Sequence, residues 1–215
     1  MKYFYIFLLY PFFLFPQSEF IPDSHFGIKA DIAYSANNNF SGLGGDIGLS
    51  LFGFFDIGIE YMKTSYQPQS DVQAYGTVAY TAYNFRDKNT CIKILVGYSS
   101  SLIESKQFLI SNLNVTGPLL SFSVTPKIYE NESFALLPGL GFSISFLSVS
   151  NRSENSGYTV QTENKSIAFE FNIVSKVNKK LYFILAPSVS KDLSNSDNPL
   201  IFGFNFGLLF NVPKQ

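Results

Sequence analysis

Near the end of the chain, Phe202, Phe204, Phe206, Leu208 and Phe210 fall on every second residue, and Gly203, Asn205, Gly207, Leu209 and Asn211 fill the gaps. Successive side chains of a strand point to opposite faces, so this segment has one large apolar face and one small or polar face. The same two-faced pattern recurs along the chain. Phe26, Ile28, Ala30, Ile32 and Tyr34 alternate with Gly27, Lys29, Asp31 and Ala33. Ile57, Ile59 and Tyr61 oppose Gly58, Glu60 and Met62, and Ile92, Ile94, Val96 and Tyr98 oppose Lys93, Leu95, Gly97 and Ser99. Ile167, Phe169, Phe171 and Ile173 oppose Ala168, Glu170 and Asn172. About ten such segments can be counted, and no comparable 3.6-residue period accompanies them, so the expected structure is all-β.

Composition decides which face points where. The chain holds 24 Phe and 13 Tyr in 215 residues but only 14% charged residues, against about 25% in an ordinary soluble domain. A soluble barrel would hide the bulky face and wet the other. Here the second face is mostly Gly, Ser, Ala, Thr and Asn, which is poor cover for a water-exposed exterior. The bulky residues are also too many for the interior of a barrel of eight to ten strands. Turned outward into lipid they are well placed, and closure pairs every edge-strand backbone group. The net charge of −1 gives no reason to expect a nucleic-acid partner. A single cysteine, Cys91, excludes an internal disulfide framework.

The first residues read as an address. Lys2 precedes an apolar run from Tyr3 to Phe15, broken by Pro16, Gln17 and Ser18. Such a run suits the core of a signal peptide and is short of the ~20 residues of a spanning helix. Residues 1–18 are therefore expected to be a leader, and residues 19–215 a single barrel domain. Short connections are expected near 52–55, 86–89, 130–132 and 177–179. Longer ones are expected near 35–41, 64–71, 100–116, 148–165 and 192–198. In an up-and-down meander the long ones share one rim, the asymmetry of outer-membrane barrels. The expected architecture is a single up-and-down antiparallel transmembrane β-barrel of about ten strands, or eight if the weaker segments merge. Tyr34, Tyr61 and Tyr98 would then end strands at the outer boundary of the membrane, with Tyr83, Tyr129 and Tyr182 at the inner one, as interfacial aromatics do.

From about His25 to Val212 the chain resembles the small outer-membrane β-barrel proteins of Gram-negative-type bacteria, the OmpA-like group. The resemblance implies an exported, outer-membrane protein, surrounded by lipid and inserted by the barrel-assembly machinery. It also implies a monomer, and loops able to bind an extracellular ligand. Family members often end on an aromatic residue, whereas here Phe210 is followed by Asn211, Val212, Pro213, Lys214 and Gln215.

By parity, Lys29, Asp31, Asp46, Glu60, Lys93, Lys127, Glu170, Asn172 and Asn205 are expected to face the lumen. Buried charges are rarely left unpaired, so these should form a polar network that fills the barrel; a narrow path for small solutes is the alternative. Aqueous pores typically need about sixteen strands. Some barrels of this size are proteases or lipid-modifying enzymes, but the chain's one histidine, His25, starts the first strand at the rim opposite the long connections. With no second histidine for a metal pair and no triad from its sequence neighbours, neither a catalytic residue nor a cofactor is expected. The connection 100–116 is unusually apolar. Its Leu102, Phe108, Leu109 and Ile110 either form a contact surface or belong to strands that continue above the membrane.

Overall fold

The computed structural model describes residues 24–66, 72–105, 112–153, 156–194 and 197–213. The expected leader lies outside these residues, as do Phe108, Leu109 and Ile110. The strands are β1 (Ser24–Ala36), β2 (Phe40–Leu51), β3 (Phe55–Tyr66), β4 (Val72–Arg86), β5 (Thr90–Ser105) and β6 (Asn112–Pro126), followed by a two-residue β7 (Tyr129–Glu130). Then come β8 (Phe134–Ser153), β9 (Ser156–Lys176), β10 (Leu181–Asp192) and β11 (Ile201–Pro213). Each long strand pairs antiparallel with its neighbours in the chain, β6 pairs with β8, and β1 pairs with β11 from Ser24↔Pro213 to Ala36↔Phe202. The sheet is therefore a closed barrel of ten staves, with β7 as a short addition at one rim. The eight-strand alternative is set aside.

Burial follows the alternation. In β1, Ile28, Ile32 and Tyr34 are exposed while Lys29, Asp31 and Ser35 are buried; in β11, Phe202 to Phe210 are exposed on every second residue. A belt of exposed Ile, Leu and Phe thus surrounds an interior that holds the buried charged and polar side chains together with apolar clusters, whereas a soluble protein keeps its charges outside. On β8 the outward apolar run extends from Leu136 to Phe146 and gives way to Ser148 and Ser150. That length matches the roughly 9–11 residues a tilted strand needs to span a bilayer. Among the described residues no helix is long and apolar enough to cross a membrane; the crossing is made by strands. Tyr34, Tyr61, Tyr98, Tyr83 and Tyr129 are exposed, but Tyr61 and Tyr98 do not end their strands, which run on to Tyr66 and Ser105. Tyr182 departs from the expectation: it is half-buried against an interior cluster containing Ala135, Leu137 and Val174.

The two rims differ less through loop length than the sequence suggests, although the connection between Asp192 of β10 and Ile201 of β11 is long. At the end that carries the paired termini, the turns are residues 52–54, 87–89, 127–133 and 177–180. At the far end the anticipated long connections are largely strand. β1 and β2 are joined by Asn37, Asn38 and Asn39 alone, with Asn37 Oδ1 accepting from the backbone N–H groups of Asn39 (2.7 Å) and Phe40 (3.0 Å). Most of 148–165 is a continuous β8–β9 ladder that runs to Ser153↔Ser156. In the connection 100–116, β5 continues to Ser105 and β6 starts at Asn112. The reason is that alternation persists above the membrane, with Ile103, Leu113, Val115, Leu147 and Val149 turned inward and buried. Strand pairing satisfies their backbone groups.

Two close approaches need glycine. A Cβ on Gly117 of β6 would lie 1.9 Å from the Phe146 carbonyl oxygen of β8, and one on Gly44 of β2 would lie 2.2 Å from that of Tyr61 on β3. Next to Gly117 is Pro118, and the β6–β8 pairing skips both residues, passing from Thr116↔Ser148 to Leu119↔Ser145.

Candidate functional site: the lumen and its two mouths

Three acidic residues sit abreast on consecutive strands. Asp31 of β1 is opposite Asp46 of β2, which is opposite Glu60 of β3. All three face inward and are buried, because each occupies the small-residue parity of its strand. Lys29, two residues before Asp31 and on the same face, forms an ion pair with Asp46. Tyr80 of β4 lies over Gly58 of β3 and donates its hydroxyl to Asp46 Oδ2 of β2 at 2.9 Å. The Lys29 ammonium lies 5.3 Å from the centre of the Tyr80 ring, within cation–π range. Gly48 and Gly58 make room for this arrangement, since a Cβ at either would run into the Lys29 or Tyr80 side chain. Asn205 hydrogen-bonds the Asp31 carboxylate from β11.

The remaining predicted lumen residues are spread around the barrel. Lys93 is 1% exposed and faces inward between Asn84 of β4 and Ser123 of β6. Glu170 and Asn172 are buried on β9, and Asn172 donates to the Leu137 carbonyl at 3.4 Å. Lys127 is not in the lumen. Pro126 ends β6, because it has no N–H to extend the ladder, and Lys127 lies beyond it in the turn, paired with Glu130 at 2.5 Å. Leu102 is half-buried on β5 and belongs to the strand extension. His25 lies in the first residues of β1, at the termini end.

Three interior partners went unread in the sequence. Asp56, two strand periods before Glu60, shares its parity and accepts a 2.8 Å hydrogen bond from Asn84; that parity was a usable signal. Tyr80 and Asn84 lie on β4, where Tyr and Ala occupy both faces and no clear alternation distinguishes them.

Beyond this polar layer the far end of the lumen is filled by apolar side chains. Phe40, Tyr66, Val72, Ala74, Ile103, Leu113, Val115, Leu147, Val149 and Ile201 form one buried cluster drawn from seven strands. The Phe40 and Tyr66 rings pack 6.1 Å apart. The termini-end mouth is instead strapped by charge. Glu130 accepts from Lys127 through Oε2 and from Lys176 of β9 through Oε1 at 2.8 Å. Those two ammonium groups hold the Glu130 carboxyl below the usual glutamate range. Lys176 also donates to the Asn131 carbonyl at 3.1 Å, so the 127–133 turn is bent over the mouth and fixed there.

No family model and no curated protein sequence matches the chain. Solved structures do match in shape. The β domain of the Bordetella autotransporter BrkA is similar over 88% of this chain and 99% of that one, with a TM-score of 0.53 and 11% identity. The translocator domain of the autotransporter NalP from Neisseria meningitidis is similar over 87% and 88%, with a TM-score of 0.53 and 9% identity. The fold is that of an outer-membrane β-barrel. Neisserial surface protein A is also similar, at a TM-score of 0.43 and 12% identity over 89% of this chain and 100% of that one.

Proposed function

We propose that this chain is a non-enzymatic outer-membrane barrel that conducts no solute and serves as a rigid scaffold for a β-crown on the cell surface. The observation that carries the reading is the filled lumen. The ten-residue apolar cluster fills the inside of the crown, and the Lys29–Asp46–Tyr80 layer lies beneath it. Small barrels are typically filled by their own side chains. The crown is built by strands that outrun the membrane: β8 continues seven residues past Phe146 to Ser153, about 23 Å at the usual rise per residue. Its outward positions include Ser148, Ser150, Thr159, Gln161 and Glu163, a polar face suited to an extracellular partner or to neighbouring envelope components.

In this reading the termini end faces the periplasm, residues 1–18 direct export, and the barrel-assembly machinery inserts a monomer. The test is conductance of the purified protein in planar bilayers, with and without removal of the cap by Phe40→Ala/Leu147→Ala. No stepwise current from the unaltered protein is expected. Sustained single-channel steps from it would overturn the closed-barrel reading.

A further inference from the structure

At the termini-end mouth a cavity of about 290 Å³ opens between the β4–β5 turn, β6, and the starts of β8 and β10. Its rim and its floor differ in chemistry. Arg86, Lys88, Lys127 and Lys176 supply four cations around it. The two carboxylates in its lining are both committed elsewhere. Asp87 Oδ1 accepts from the backbone N–H groups of Asn89 and Thr90, each at 2.7 Å. Glu130 is held between Lys127 and Lys176. With four cations against two carboxylates the rim is net positive at the entrance to a partly desolvated space, where an anion is favoured. The floor is apolar, formed by Ala135, Leu137, Val174 and the inward-turned Tyr182. At depth, the hydroxyl of Thr125 lines the cavity at 2% exposure and has no hydrogen-bond partner. A buried hydroxyl left unpaired is destabilising, and a ligand or a water that accepts from it recovers that loss.

We propose that this vestibule is a binding site for a small amphipathic carboxylate, with its anionic head among the rim lysines and its apolar body against Leu137, Val174 and Tyr182. The volume is at the lower end of the range for small-molecule sites, so it suits a compact aryl-alkyl or short-chain acid rather than a whole lipid. The inference is independent of the closed-barrel reading, since the vestibule opens to the termini side whether or not the far end conducts.

The experiment is calorimetric titration of the full-length protein, refolded in lipid nanodiscs, with 4-phenylbutyrate, 4-phenylbutanol and acetate. Single-site binding of 4-phenylbutyrate is expected, weakening as salt is raised. The alcohol and acetate should each bind about tenfold more weakly or worse, the scale of one charge-assisted hydrogen bond. Lys88→Gln removes rim charge without touching the Glu130 clasp and should weaken 4-phenylbutyrate alone. Thr125→Val keeps the side-chain shape and should weaken it severalfold. The gel mobility of the unboiled barrel checks that both variants fold. Three outcomes overturn the proposal: no binding of the acid, equal binding of acid and alcohol, or affinity unchanged in both folded variants.

Discussion

Replacing Lys29 with Met tests whether the polar layer of the lumen holds the barrel together. The pair it breaks is deeply placed, with side chains 4% and 10% exposed. After the substitution Asp46 keeps the Tyr80 hydroxyl at 2.9 Å but lies between Asp31 and Glu60 with no cation between them. Removing one partner of a buried pair costs about 3–5 kcal/mol, mostly through the charge left behind. The double variant Lys29→Met/Asp46→Leu removes that charge and strands the Tyr80 hydroxyl, a loss of about 1–3 kcal/mol, while Asp31 and Glu60 lack the Lys29 cation in both variants. The double variant should therefore be more stable than the single one. The assay is urea unfolding of protein refolded in phospholipid vesicles, followed by far-ultraviolet circular dichroism because the chain has no Trp. A loss below about 1 kcal/mol for Lys29→Met, as at an exposed pair, would refute the reasoning. So would a double variant no more stable than the single.

Further outcomes follow from other parts of the barrel. Gly117→Ala puts a methyl group against the Phe146 backbone; it should cost at least the 1–3 kcal/mol typical of overpacking, read by the same unfolding curves, whereas Gly139→Ala, 3.2 Å from the Thr125 hydroxyl, should cost less. Ile47→Arg places a cation on the lipid face at a residue 63% exposed and should lose about 2–4 kcal/mol if it lies near the bilayer midplane; a neutral result in vesicles would argue that this face does not meet lipid. The strap over the termini-end mouth should loosen in acid. Glu130 is held below the ordinary glutamate value of about 4.3, so its contribution is present above that value and is lost as pH falls through the lowered one. Protection of the amides at residues 127–133, measured against their intrinsic exchange rate at each pH, should fall on acidification in the native protein, and Glu130→Gln should be weakly protected at every pH.

The staves were legible because lipid enforces the alternation: Phe202 to Phe210 could face only outward, and Lys29, Asp31, Asp46 and Glu60 could face only inward. Where lipid stops, the same alternation continues with a different meaning. In the sequence Ile103, Leu113 and Val115 fit a loop contact surface and a strand extension equally, because a loop and an extended stave share one local pattern and the residues they cluster with, Phe40, Tyr66 and Val149, are far along the chain. Parity also misled at Lys127, where it was carried past Pro126, the residue that ends the ladder. Tyr182 was read as an interfacial ring because Tyr suits both a membrane boundary and a half-buried mouth, and only the neighbouring Ala135 and Val174 distinguish the two. Tyr80 was hidden for the opposite reason: its strand uses similar residues on both faces.

The pairing of β1 with β11 gives the chain an uneven folding problem. Every other pairing joins strands that are neighbours in sequence, or separated only by the short β7, so each can form as a local hairpin with little chain to draw in. Ser24 must meet Pro213 across almost the whole described length. The entropy of closing the ring is thus concentrated in one seam, and proteins whose contacts are long-range fold slowly for that reason. Until that seam forms, two unpaired strand edges stand open in or beside the bilayer, and the Phe-rich last strand is one of them. The residues most visible in the sequence are thus those on which the timing of insertion turns.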